Sequence, residues 1–242
     1  MKKARPEITY DQAKRGMYID FEGTMKDPAS FLGVFVVHDD GYEEFDQPVF
    51  ERDLWPVVRS HEPDSKQTQG YEPREAYFFQ TFCELHERAE NESRKIFAYS
   101  TREINEILER LNELCLEEGR SPQLVKLEME WWENNLVNVL PYAKAWKKRH
   151  HPDVEFKKGP PGRSARHTLE NFQKLIGYKV PKAFASGNSA KRIRYVRDML
   201  NKHNGDYGKL TGTAKGKWTK ACIHNWHDCR GTRELMMVSC KT

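Results

Sequence analysis

The chain has 242 residues, 38% hydrophobic and 31% charged, with a net charge of +4. That length buries a core without help from disulfides or metals, and the sequence lacks the run of about 18 apolar residues that a membrane-spanning helix needs. Five cysteines, at 83, 115, 222, 229 and 240, are odd in number and contain no CxxC pair, which argues against a disulfide framework. A basic start with no apolar segment after it completes the expectation of a soluble, cytoplasmic protein with reduced thiols, one domain over 1–242.

In chain order, a polar start leads to MYIDFE (17–22), where apolar and polar residues alternate between Gly16 and Gly23, the pattern of a strand. Residues 31–50 read as two strands joined at Asp39-Asp40-Gly41, a hairpin signal, so three antiparallel strands come first. His61–Gly70 is expected as a loop and Glu72–Glu92 as a helix with Phe78, Phe82 and Leu85 on one side. KIFAYS (95–100) is a short strand. Thr101–Glu118 has helical spacing with Thr101 as N-cap. Ser121-Pro122 opens a helix to about Glu133, LVNVL (136–140) is a strand, and helices are expected at 167–177, 188–203 and 213–239. Strands first, then alternation of strand and helix, gives an α/β fold with a mixed sheet.

The charge is lopsided. Residues 1–135 hold 17 Lys+Arg against 29 Asp+Glu, a balance of −12, and residues 136–242 hold 23 against 7, a balance of +16. The stretch 144–166, rich in Lys, Arg, Pro and Gly, reads as an exposed basic loop. With Trp146, Phe156, Phe172, Tyr178, Tyr195 and Trp218, the basic half suits a surface that follows a polyanion and stacks on bases, Lys147, Lys148 and Arg149 among its contacts. Mutual attraction of the two halves within one fold is the alternative explanation of the asymmetry, and both can hold together.

Asp20 and Glu22 lie two apart on a strand, on one face and about 7 Å apart along it, so they are poised to share a divalent cation. A second D-x-E, Asp153-Val-Glu155, lies in the basic stretch and lacks the apolar strand beneath it. Glu103 falls in the first turn of a helix that follows a strand, where ordinary capping also favours a carboxylate. Cys222-Ile-His-Asn-Trp-His-Asp-Cys229 offers an imidazole and a carboxylate, His224 and Asp228, one turn apart on one helix face. Its cysteines suit packing better than zinc, because tetrahedral zinc usually draws ligands from at least two elements.

The stretches YIDFEG, FAYSTREINEILERL, LVNVL, TLENFQKLIGY and HNWHDCRGTREL, in this order, resemble the DEDD exonuclease superfamily of RNase H-like fold, especially the predicted RecB-family nucleases of that fold. The resemblance runs from about Met17 to Leu235. It implies Asp20, Glu22, Glu103 and Asp228 as ligands of two divalent ions, Mg²⁺ or Mn²⁺. His224 or His227 is expected as general base, and the one-turn spacing to Asp228 favours His224. The resemblance further implies a 3′–5′ exonuclease acting on single-stranded DNA or RNA. The chain departs from the pattern at His224, where the family has tyrosine, and at Asn138, where relatives often have aspartate. Two other classes stay open: a catalytically weak nucleic-acid-binding module of this fold and a zinc-stabilised interaction protein.

Overall fold

The computed structural model describes residues 6–23, 27–60, 71–117, 119–156, 167–185 and 189–241, with backbone alone at 71–72 and 115–117. Among these residues the strands are β1 (Met17–Glu22), β2 (Phe31–Val37), β3 (Glu43–Val49), β4 (Tyr71–Glu75), β5 (Ile96–Ala98) and β6 (Leu136–Asn138). They form one sheet in the order β4-β3-β2-β1-β5-β6. β1, β2 and β3 pair antiparallel, whereas β5 is parallel to β1, β6 to β5 and β4 to β3. The fold is therefore α/β with a mixed sheet. The β2–β3 turn closes where the Gly41 N–H donates to the His38 carbonyl, at a φ of 86°, a left-handed conformation that glycine adopts without a Cβ penalty.

Strand periodicity divides the core in two. Met17, Ile19 and Phe21 of β1 face α3 (Phe78–Asn91), α4 (Arg102–Glu117) and α5 (Pro122–Asn135), through Phe82, Ile107 and Trp132. Tyr18, Phe35 and Phe97 face the other way, toward α1 (Tyr10–Arg15), α2 (Trp55–Arg59), α6 (Leu140–His150), α7 (Leu169–Leu175), α8 (Ser189–Lys202) and α9 (Gly212–Cys240). Because successive strand residues alternate faces, Asp20 and Glu22 share the α9 side with Tyr18. β1 is buried along its length except at Asp20, which is half-buried. The Tyr18 hydroxyl donates to the Ala13 carbonyl at 2.6 Å.

Helix α9 starts where Thr211 Oγ1 accepts from Ala214 N and runs across this face. Trp218, Cys222, Asn225 and Cys229 are all fully or almost fully buried in it. It approaches closely because β2 has a glycine beneath it. A Cβ at Gly33 would meet Asn225 Oδ1 well inside van der Waals contact.

Several expectations change. The first four residues of the helix read over Glu72–Glu92 belong to the edge strand β4, and the helix begins only at Phe78. Pro73 is tolerated there because an edge strand has one unpaired side. Lys144–His150, read as the start of a basic loop, is the body of α6: Ala143 and Trp146, three apart, are buried and hold it as a helix. Residues 157–166 of that stretch, and the loop read at His61–Gly70, lie outside the described residues. Helix α1, unread in the polar start, is closed by a capping box in which Gln12 N donates to Thr9 Oγ1 and Thr9 N to Gln12 Oε1. Of the aromatics read as a stacking surface, Trp146, Phe172 and Trp218 are core residues.

Replacing Gly33 by alanine is expected to cost about 1–3 kcal/mol, the range for overpacking a tight contact. Urea denaturation of the two proteins at one pH measures it, and a change below about 0.5 kcal/mol would mean that the contact is not tight.

Candidate metal centre

The carboxylates of β1 meet the polar stripe of α9. His224 Nε2 lies 3.4 Å from Asp228 Oδ2, one turn on, and 3.7 Å from Glu22 Oε1. Ligand atoms of Glu22, His224 and Asp228 all fall within 4.8 Å of one another. Glu22 and His224 are buried, at 6% exposure each, while Asp20 and Asp228 are half-buried.

Asp20 is held beside them by Asn225, whose Nδ2 donates to the Asp20 carbonyl at 2.9 Å and to its Oδ2 at 3.0 Å. Asn225 in turn accepts from Gln47 Nε2 at 2.8 Å. Gln47 Nε2 also donates to the Cys222 carbonyl at 3.2 Å, so β3 fixes both the helix and the amide that orients Asp20.

Glu103 comes from the start of α4. Its Oε2 accepts from Ser100 Oγ at 2.9 Å and Ser100 N at 3.2 Å, while Ser100 Oγ accepts from Arg102 N. The helix starts after Thr101, whose carbonyl accepts from Asn105 N at 3.2 Å, and Ser100 adds the side-chain bonds that tie Arg102 N and Glu103 to this end. Asn138 stands at the end of β6, where its Oδ1 accepts from Leu140 N at 3.0 Å and shapes the turn into α6.

The electrostatics follow from burial. Desolvation pushes the Asp20 carboxyl well above the usual range, and the charges of Asp228, Glu22 and Glu103 push it further, against the Asn225 hydrogen bond. Burial raises Glu22 to about 7, with His224 opposing and Asp228 adding to the rise. Burial also raises Asp228 and Glu103. For His224 burial works against the charged ring, but Asp228 and Glu22 outweigh it, and the net direction is upward. Four carboxyls that each resist ionisation form a site where a cation gains more than it would from solvated acids.

The two histidines of the stretch part company. His224 Nδ1 donates to the Phe184 carbonyl at 2.7 Å, leaving Nε2 toward the acids. His227 is rotated away and packs among Tyr178, Phe184 and Trp226. Burial lowers it to about 4, with His224 and Arg230 adding to the fall. The neutral ring accepts at Nδ1 from the Tyr178 hydroxyl at 3.1 Å. Cys222 and Cys229 face the sheet, Cys229 Sγ donating to the Gly33 carbonyl at 3.5 Å. Burial and the nearby acids raise its thiol well above the usual value. Among the described residues the metal-competent grouping includes neither cysteine.

Sequence reasoning missed the supports: Asn225, Gln47, Gln173 and the Phe184 carbonyl. Two carried a signal, a polar residue amid apolar neighbours in FDQPVF and in HNWHDC; a backbone carbonyl carries none. Asp153 and Glu155 are exposed after α6, far from this arrangement in character. Lys147 is folded over the Phe156 ring at 5.1 Å, whereas Lys148 and Arg149 are exposed. No family model, curated protein or solved structure matches the chain at a significant level.

The raised acids fix the sign of a pH dependence. With chelator present, the folded state keeps the Glu22 proton up to about 7, while the unfolded chain loses it near the ordinary value of about 4.3. Stability from this group is thus complete at low pH and is lost as pH rises across that window. His227 contributes the opposite slope, its folded value near 4 lying below the unfolded one. The difference between wild type and Glu22→Gln isolates the first effect. The wild type is expected to lose stability relative to the variant between pH 5 and pH 7, at up to about 1.4 kcal/mol per pH unit. A difference that stays level across that range would contradict the raised value.

Proposed function

We propose that this chain is a divalent-cation-dependent nuclease of RNase H-like fold, cleaving phosphodiester bonds of single-stranded nucleic acid from the 3′ end. One observation carries the reading: Asp20, Glu22, Glu103 and Asp228, from three distant segments, converge in one cluster, Glu22 and Glu103 buried and Asp20 and Asp228 half-buried, where the other acids press on Asp20 and His224 is set against Glu22 and Asp228. A fold bears that cost only where something is gained, and a phosphate-processing cation is the simplest gain. The order of antiparallel then parallel strands supports the RNase H-like architecture, with β4 added at the edge.

The residues present fit the cations that the reading requires, since carboxylate oxygens are the donors hard divalent ions prefer. Asp20, Glu22, Glu103 and Asp228 would hold them. Bound Mg²⁺ or Mn²⁺ supplies Lewis acidity that neutralises charge on the phosphate and makes water a nucleophile near neutral pH. The chain does the rest. Asn225 and Ser100 aim Asp20 and Glu103, Gln173 bonds the Asp228 side chain, and burial under α9 limits the water that would otherwise screen these charges.

Beside the cluster lies a cavity of about 570 Å³ whose walls include Gln173, Tyr178, Lys179, Pro181 and Lys182. Gln173 and Tyr178 also touch Asp228 and His227, so the cavity opens next to the acids. Its size and mixed apolar and cationic lining suit a nucleotide. Exposed Lys191 and Arg194 on α8 and Lys148 and Arg149 on α6 extend the basic surface, which suits a strand backbone.

Asp20→Asn and Asp228→Asn are each expected to lower cleavage of a 5′-labelled single strand in Mn²⁺ by about 10² or more. Thermal stability of Asp20→Asn should not fall, because the change relieves repulsion from three neighbouring acids, whereas Asp228→Asn also removes the partner of His224 and is expected to stabilise less. Wild-type rates in both variants would end the nuclease reading. Changing Lys179 and Lys182 together to Ala is expected to reduce the slope of log affinity against log salt by roughly 0.7 per lost contact. Fluorescence anisotropy across a salt series measures this, and an unchanged slope moves the strand path away from the cavity.

A further inference from the structure

Helical spacing assigns His224 the part of a general base, but its surroundings point elsewhere. Its Nδ1–H is committed to the Phe184 carbonyl at 2.7 Å, which fixes the tautomer with the lone pair on Nε2. That is how metal-bound imidazoles are held, the far nitrogen donating to a carbonyl or carboxylate. The wall bearing that carbonyl is itself braced. Phe184 N and Ala185 N both donate to the Pro181 carbonyl, and Arg192 Nη2 reaches the Ala183 carbonyl from α8 at 3.2 Å.

The spacing to the acids agrees. A charged N–H···O bond closes to about 2.7–2.9 Å, whereas His224 Nε2 stands 3.4 Å from Asp228 Oδ2 and 3.7 Å from Glu22 Oε1. Donors that share one ion at bonds of about 2.1 Å stand about 3.0–3.4 Å apart at octahedral to tetrahedral angles. The His224–Asp228 separation matches that of co-ligands and the His224–Glu22 separation exceeds it by 0.3 Å, while both are longer than a charged hydrogen bond, and all three ligand atoms lie within 4.8 Å of one another.

We propose that His224 Nε2, Glu22 and Asp228 together ligate one metal ion, and that this position selects a first-row transition ion such as Mn²⁺ over Mg²⁺. An imidazole nitrogen is a donor that first-row transition ions accept, Mn²⁺ the weakest binder among them, while Mg²⁺ holds to oxygen. This rests on the nuclease reading for the ion's use, not for its binding. Asp20 and Glu103, outside this trio, keep an all-oxygen environment that Mg²⁺ can share.

The test is Mn²⁺ bound to the full chain at substoichiometric metal. Electron spin echo modulation is expected to show coupling to an imidazole nitrogen, lost in His224→Ala. By calorimetry His224→Ala is expected to weaken Mn²⁺ at least about tenfold, the lower end of what losing even an outer partner costs, while changing Mg²⁺ binding less than about threefold. Absence of nitrogen coupling in the wild type overturns the proposal without any variant, so misfolding of His224→Ala cannot rescue it. Equal loss for both ions also overturns it. Nitrogen-coupled Mn²⁺ in a protein that cleaves no strand supports the ligand assignment and removes the nuclease reading. Cleavage without nitrogen coupling does the reverse.

Discussion

The contact of Asn225 with β1 and β2 is the constraint on which the rest of the site depends. A single amide accepts from Gln47, donates twice to Asp20, and sits where Gly33 has no side chain. It settles how close α9 comes to the sheet, and that distance settles whether Asp228 and His224 reach Glu22. A helix displaced outward by one methyl group would admit water and relax the carboxyl pKa values toward their ordinary range. The arrangement has its own cost, since Gln47 Oε1 is buried with no hydrogen-bond partner among the described residues.

The same contact explains why the acids are tolerated. Burying a carboxylate is expensive unless it is paired or hydrogen-bonded. In Asp20 the pairing is half made, one amide against three negative neighbours. In Glu22 and Asp228 the protonated form of His224 supplies the opposite charge. The imidazole thus stands where a cation would, and the site is most strained when His224 is neutral. Strain of this kind, concentrated at one place in an otherwise well-packed core, is characteristic of sites kept for chemistry rather than stability.

Much of this was legible in the residues. Period-2 alternation in MYIDFE put Asp20 and Glu22 on one face, and i, i+4 spacing put His224 beside Asp228, because both follow from backbone geometry alone. The hairpin at Gly41 was equally local. What escaped depended on neighbours far along the chain. YEPRE looks helical until β3 offers it an edge to pair with, and KAWKKRH looks like a loop until Ala143 and Trp146 find the core. Three aromatics of the basic half, Trp146, Phe172 and Trp218, were misread for the same reason: composition does not say whether a tryptophan stacks on a base or on Phe31, as Trp218 does. Supports such as the Phe184 carbonyl belong to the backbone and leave no mark in side-chain patterns.

One helix gives two histidines opposite characters. His224 and His227 are three residues apart, about 300° around the axis, and that rotation moves an imidazole from a nest of carboxyls to a pocket of aromatic rings. The first is driven toward its charged form by Asp228 and Glu22; the second is driven toward neutrality by burial and by the first. Each therefore sharpens the other: charge on His224 lowers His227, and a neutral His227 adds no repulsion that would weaken the hold of the acids on His224. A transition ion taking Nε2 would carry the same positive charge to the same place. His227 would then stay neutral across the physiological range, its Nδ1 accepting from Tyr178 and holding the cavity wall against α9 whether the neighbouring position carries a proton or a metal.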